Sequence, residues 1–211
     1  SYAFLTDGIV RAAFEVAARH LHPNPNPTEA ERLCLIAVGG YGRAEMAPFS
    51  DVDLLFLTPY KITPWAESAI ESMLYILWDL KLKVGHASRT IRDCIRLGGE
   101  DMTIRTALLE MRFLTGDERL AVDLRHKLRA DLFRGTEAEF IEAKLAERAT
   151  RHQKQGGQRY VVEPNVKEGK GGLRDLQSLY WIAKYVHHTD RVRDLVDLGV
   201  FRPDEHETCR A

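Results

Sequence analysis

The sequence has only three cysteines, Cys34, Cys94 and Cys209. They lie far apart and form no C-x-x-C pair, which argues against a disulfide framework and against a cysteine zinc site. Such usage predicts a reducing compartment, the cytoplasm. No apolar run approaches the roughly 20 residues of a membrane span, and no charged-then-apolar segment opens the chain like a secretory signal. Neither charge is in excess: 30 Lys and Arg face 31 Asp and Glu, a formal net charge of −1. Bulk electrostatics therefore give no case for a nucleic-acid binder. Internal repeats and low-complexity tracts are absent too. What remains is a 211-residue chain, 45% hydrophobic and 29% charged. That is the composition of a soluble globular protein long enough to bury a real core.

Helical spacing begins almost at the first residue, with Phe4, Leu5, Ile9, Ala12, Ala13, Val16, Ala17 and Leu21 on one pattern. At the other end "FRPDEHETCRA" starts a helix and stops. Both ends predict a piece of a longer polypeptide. The prolines of "HPNPNP" (22–27) break the first helix. "LCLIAVG" (33–39) and "VDLLFLT" (52–58) read as buried strands covered on both faces. "TPWAESAIESMLYILWDLKL" (63–82) reads as a helix with Pro64 in its first turn, and "KVGHASRT" (83–90) as a third strand weakened by Gly85. A short helix, "TIRDCIRL", then ends at Gly98–Gly99. From Asp101 the texture turns helical, over 101–114, 117–134, 136–155, 173–188 and again near 190–198. The expected division is a mixed α and β domain over 1–100 and a helical domain over 101–211.

The chemistry concentrates in "AVGGYGRAEMAPFSDVDLLFL" (37–57). Residues i and i+2 of a strand share a face, so Asp51 and Asp53 stand side by side, roughly 6.5–7 Å apart at Cα. Two carboxylates that close repel unless a cation lies between them. Oxygen ligation with remaining ligands from substrate phosphates suits Mg²⁺, and a pair of such ions supports in-line phosphoryl or nucleotidyl transfer. Upstream, Gly39 and Gly40 directly follow a strand, where a backbone without Cβ atoms can present N–H groups to phosphate oxygens. Arg43 is placed to neutralise phosphate, and Ser50 to hydrogen-bond it or to cap the approach to Asp51. A D-x-D at a strand start is in isolation equally a turn former; strand, glycine pair, loop, Ser-Asp-x-Asp and apolar strand in this order favour metal ligation.

A second cluster, "PNVKEGKGGLRDLQ" (164–177), gathers Lys167, Lys170 and Arg174 at a helix start, where unpaired N–H groups and the dipole attract anions. It lacks the Walker A order. By itself it is equally a phosphate contact or an ordinary solvated loop; in combination with the metal site the reading is that Lys167, Lys170 and Arg174 contact the triphosphate or ribose. Asp175 and Gln177 either orient these cations or cap the helix. "RHQKQ" (151–155) reads as a solvated helix end.

"GGYGRAEMAPFSDVDLLFL" resembles the G-G/S…D-x-D signature of the DNA polymerase β-like nucleotidyltransferases. With "VGHASRT", "TALLEMRFLTGD" and "PNVKEGKGGLRDLQSLYWIAKY", it resembles more narrowly the N-terminal catalytic portion of bacterial PII uridylyltransferase/uridylyl-removing enzymes. The resemblance runs from about residue 35 to 190. It implies an α+β fold: a small mixed β-sheet nucleotidyltransferase core with flanking helices, followed by an all-helical domain. It implies transfer of UMP from UTP to a tyrosine hydroxyl of the nitrogen-signalling protein PII, with two Mg²⁺ ions as cofactors and release of pyrophosphate. The uridylyl-removing domain and the glutamine-sensing domains of such enzymes do not fit in this chain. The superfamily's third carboxylate has no counterpart on the third strand, where His86 is the ionisable residue. Asp79, Asp93 and Asp101 are other candidates. A different acceptor, or nucleotide binding without turnover, are the rival expectations.

Overall fold

The structure, a computed structural model, describes residues 2–47, 50–156 and 171–189. By its internal contacts the chain divides into two compact units, Ser1–Asp131 and Leu132–Ala211.

The first unit is built on a four-stranded mixed sheet. Helix α1 (Tyr2–Glu15) widens into a π-helical segment, Val16–Leu21, that closes with the His22 N–H on the Ala17 carbonyl. The proline-rich segment then leads to β1 (Cys34–Ala37). A single helical turn, α2 (Gly39–Gly42), precedes β2 (Val52–Thr58). Helix α3 (Pro64–Asp79) starts on Thr63, whose hydroxyl accepts from the Ala66 N–H, with proline just inside the start. Strand β3 (Val84–Thr90) runs straight into α4 (Ile91–Glu100) through a capping box of Thr90 and Asp93. Helix α5 (Met102–Leu109) is capped by Asp101, and α6 (Glu118–Lys127) by Asp117. Between them lies β4 (Arg112–Gly116).

The sheet order is β3-β2-β1-β4, with β1 antiparallel to both neighbours and β2 parallel to β3. Leu35, Ala37, Val52, Leu54, Phe56 and Leu114 face α1 and α3, where Val10, Phe14, Met73 and Leu77 complete a core. The alternate residues, Cys34, Ile36, Leu55 and Leu57, are fully buried on the other face. The two-sided burial expected of β1 and β2 is therefore present. Burial pushes the Cys34 and Cys94 thiols up to about 12, so both are packing groups and not nucleophiles.

Three sequence expectations are corrected. Residues 101–114 are not one helix: α5 stops at Leu109 and β4 begins at Arg112. The strand carries little β-branching, and pairing with β1 across a long sequence separation decides its conformation. Residues 101–131 consequently stay with the sheet, beyond the boundary expected near residue 100. Nor do Gly98 and Gly99 end α4, which continues to Glu100. There the Arg105 side chain donates to the Gly98 and Gly99 carbonyls.

Among the described residues the second unit is helical, with α7 (Glu137–Gly156) and α8 (Leu173–His187). Phe140 stacks on Tyr185 at 4.0 Å between centroids, and the Tyr185 hydroxyl shares a 2.7 Å hydrogen bond with Thr136. The buried Lys144 ammonium lies 4.9 Å from the Trp181 ring centroid and pairs with Glu147. No described helix is long and apolar enough to cross a membrane.

Candidate active site

Asp51 lies just before β2, exposed, and Asp53 is its second residue, half-buried. Among the described residues no Lys or Arg is paired with either carboxylate. Burial raises the Asp53 carboxyl above its ordinary value, and the neighbouring Asp51 charge raises it further. The two acids therefore interact, as their i, i+2 spacing predicts. Among the described residues no group of three metal-ligating side chains stands together. The chain thus offers two carboxylates, a donor set that fits a hard divalent ion whose other ligands are water and phosphate.

The glycine turn sits against this pair. The Val38 N–H donates to the Asp53 carbonyl at 3.1 Å, which pins the start of the turn beside β2. Gly39 has φ +58° and its missing Cβ would stand 3.3 Å from Asp53 Oδ2. Both facts favour glycine there. Residues 39–42 form one helical turn, with the Gly42 N–H on the Val38 carbonyl and the Arg43 N–H on Gly39. The first N–H groups of such a turn, on Gly39 and Gly40, have no intrahelical acceptor.

Gly85 takes a place that sequence reasoning gave only to strand weakening. It stands opposite Asp53 in the parallel β2–β3 register, and a Cβ on it would lie 2.6 Å from Asp53 Oδ1. Glycines on both sides thus make the slot that holds the Asp53 carboxylate. The signal was present as a glycine in the middle of a strand, which marks close approach of another group.

Arg43 is not poised as a bare cation. Its guanidinium pairs with Glu45 at 2.7 Å and with the buried Glu110. The expected phosphate-neutralising role meets two carboxylates already matched to its charge. Glu110 escaped the sequence reading because it fell inside a supposed helix; it is the residue that ends α5. Its carbonyl also lies 2.0 Å from where a Cβ on Gly42 would be, so the turn packs directly on the α5 terminus. Ser50 Oγ accepts from the Ala47 N–H at 3.1 Å, which leaves its own proton free to donate.

The candidates for a third acid are accounted for otherwise. His86 pairs in register with Leu54, on the opposite face from Asp53, and its ring lies 6.3 Å from that of Trp78. On β3 the residues sharing Asp53's face are Gly85, Ala87 and Arg89. Asp93 accepts from Thr90 as part of a helix cap, and Asp101 from the Thr103 and Ile104 N–H groups. Asp79 is the last residue of α3 and exposed.

In the second unit Arg174 donates to Gln177 at 3.2 Å. Lys167 and Lys170 lie outside the described residues. Asp175 proves to be a hub, and "RHQKQ" is not simply a solvated end. The buried Asp175 carboxylate accepts from His152 at 2.8 Å, from the Gly171 N–H at 3.0 Å and from Arg151 at 3.1 Å, with Arg148 at 3.4 Å. Burial would raise this carboxyl, but the Gly171 N–H, His152 and Arg151 outweigh it and hold it at about 2. Asp175→Asn is expected to destabilise the second unit by about 2 kcal/mol at pH 7, because it strands partly buried cations. The folded value lies below the ordinary one, so this contribution is present above about pH 4 and fades as pH falls through 2. Urea melts of the two proteins at pH 7 and pH 2.5 measure it; equal midpoints at pH 7 contradict it.

Residues 139–211 match the family described as GlnD PII-uridylyltransferase. Similarity extends over nearly the whole chain to proteins named bifunctional uridylyltransferase/uridylyl-removing enzyme. The Cereibacter sphaeroides protein is 69% identical over 98% of the chain, that of Ruegeria pomeroyi 65% over 99%, and that of Caulobacter vibrioides 59% over 93%. The chain spans only 22%, 23% and 21% of the length of these three relatives.

Proposed function

Because the chain belongs to the family of bifunctional uridylyltransferase/uridylyl-removing enzymes, we propose that it carries the transferase half of that chemistry. In this reading UMP passes from UTP to a tyrosine hydroxyl of PII. The hydroxyl oxygen bonds to the α-phosphorus, the bond from that phosphorus to the β-phosphate oxygen breaks, pyrophosphate leaves and the hydroxyl proton is lost.

The observation that carries the reading is the Asp53 carboxylate, held between Gly39 and Gly85 and raised by burial and by Asp51. Asp51 and Asp53 would hold Mg²⁺. When bound, the ions would offset charge on the phosphates and on the attacking and leaving oxygens. The Gly39 and Gly40 N–H groups and the Ser50 hydroxyl would bind phosphate oxygens. Arg43, paired with Glu45 and Glu110, would fix the turn more than it neutralises the ligand.

Nucleotide binding without turnover is the rival reading. It is favoured by the lack of an acid among the β3 residues on Asp53's face. The two are separated by incubating the chain with α-labelled UTP, Mg²⁺ and PII, and in parallel with small hydroxyl acceptors. Label on PII alone supports the proposal. Label on a small acceptor changes the acceptor, and UTP binding with no label on anything supports the rival.

A further inference from the structure

We propose that Arg112 is a positioning residue: clamped by Asp7 of α1, it fixes the glycine turn beside Asp53. The inference rests on the reading of that turn as the phosphate-binding element.

Arg112 opens β4 and pairs in register with Ala37, the last residue of β1. It faces the turn because of a bulge. Leu35 pairs with Thr115 and Ile36 with Phe113, so Leu114 is the extra residue. A bulge steps the register by one and re-aims the strand that follows. The step moves Arg112 from opposite Val38 to opposite Ala37. The Leu114 carbonyl is not left orphaned, since Arg11 Nε of α1 donates to it at 3.0 Å.

From that position the guanidinium reaches both chain segments. Its Nε donates to the Gly42 carbonyl at 3.1 Å and its Nη2 to the Tyr41 carbonyl at 3.1 Å. Its Nη1 and Nη2 also donate to the two Asp7 oxygens at 2.7 and 3.1 Å. The Tyr41 ring centroid lies 5.4 Å from its Cζ. The Asp7 side chain is 13% exposed and that of Arg112 29%, so the pair is well shielded from water. Burial alone would raise Asp7, but the Arg112 guanidinium holds it below the usual carboxylate range.

The arrangement answers a mechanical need. A one-turn helix has no stability of its own, and α2 carries three glycines, the residues most costly to order. The C-terminal carbonyls of such a turn have no intrahelical donors; that of Tyr41 takes the Ala44 N–H at 3.1 Å, and Arg112 adds a second donor there and reaches that of Gly42. A fork of five donors in fixed geometry can satisfy two of them while binding a carboxylate bidentately; a lysine cannot. Asp7 and Arg11, one helical turn apart on α1, thus hold one end of β4 and its bulge, and Arg112 passes that restraint to the turn.

The test compares Arg112→Gln, Arg112→Lys and Asp7→Asn with Arg32→Gln. Arg32 pairs with Asp117 beyond the other end of the β1–β4 pair, so Arg32→Gln is a control for simple loss of an ion pair in the same unit. Two quantities are read: amide hydrogen exchange of Gly42 and Arg43 in metal-free protein, and calorimetric affinity for a non-hydrolysable UTP analogue with Mn²⁺. Both Arg112 variants are expected to speed exchange at these amides and to weaken analogue binding at least 10-fold. Asp7→Asn, which leaves the arginine in place and guards against a variant that fails to fold, is expected to do the same more mildly. Arg32→Gln should change neither. Unchanged exchange in the Arg112 variants, full rescue by lysine, or an equal loss in Arg32→Gln overturns the proposal. Exchange is read without nucleotide, so it decides the brace even where the wild-type chain binds no analogue, a result that counts instead against the functional reading.

Discussion

Asp53→Asn is expected to lower label transfer from UTP by about 1,000-fold or more, while raising the melting temperature of the metal-free protein at neutral pH. The first effect follows from its proposed place as a metal ligand: removing an electrostatic contact of this kind from a transition state costs several kcal/mol, and about 4 kcal/mol is roughly 1,000-fold. The second follows from its environment. Burial and the Asp51 charge raise the Asp53 carboxyl above its ordinary value, so the folded chain holds that proton to higher pH than the unfolded chain does. Its contribution to stability is then present below the unfolded value and lost as pH rises through the folded one. At pH 7.5 in EDTA the charge is a burden, and the isosteric amide relieves it. Near pH 3, where the carboxyl is protonated in both states, the gain should vanish. Thermal melts across this pH range, alongside transfer assays, measure both halves. A variant that loses transfer and also melts well below wild type at pH 7.5 would place Asp53 in the scaffold instead of the site.

Gly85→Ala should give the complementary dissociation. A methyl group there would stand 2.6 Å from Asp53 Oδ1, closer than carbon and oxygen can approach. The obstacle is the end of a side chain, so the carboxylate swings aside and the strand keeps its place. Alanine also loses less conformational freedom in a strand than glycine. Transfer is therefore expected to drop about 100-fold, the usual effect of misplacing a reacting group by about an ångström, with a melting temperature equal to or above that of wild type. Gly8→Ala in α1 is the control: nothing lies within 4 Å of the added methyl, so activity should hold while the helix gains. Wild-type transfer in Gly85→Ala would mean that the Asp53 slot has no bearing on chemistry.

The carboxylate pair, the preceding glycines and strands 34–37 and 52–58 were legible because short-range patterns encode them: period-2 spacing, a glycine pair after an apolar run, and unbroken apolar strands. The helix caps at Thr63 and Thr90 follow equally local rules. β4 was not legible. "RFLTG" is five residues after a helical run, and its identity depends on hydrogen bonds to β1 nearly eighty residues earlier. Missing it hid Glu110 and Arg112 together, and with them the two side chains that grip the glycine turn. The partners of Arg43 were hidden for a related reason. A basic residue after a glycine pair looks available to a ligand until a buried carboxylate from a distant segment is found beside it. His86 was settled by parity alone: one residue of register puts it with Leu54 and puts Gly85 with Asp53.

The central claim is that Asp51 and Asp53 together hold divalent metal for a nucleoside triphosphate. Calorimetric titration with a non-hydrolysable UTP analogue, in Mn²⁺ and then in EDTA, tests it most directly on wild type and on the Asp51→Asn, Asp53→Asn double variant. Binding seen only for wild type and only with Mn²⁺ is the predicted result. Equal affinity in EDTA, or in the double variant with Mn²⁺, would contradict it.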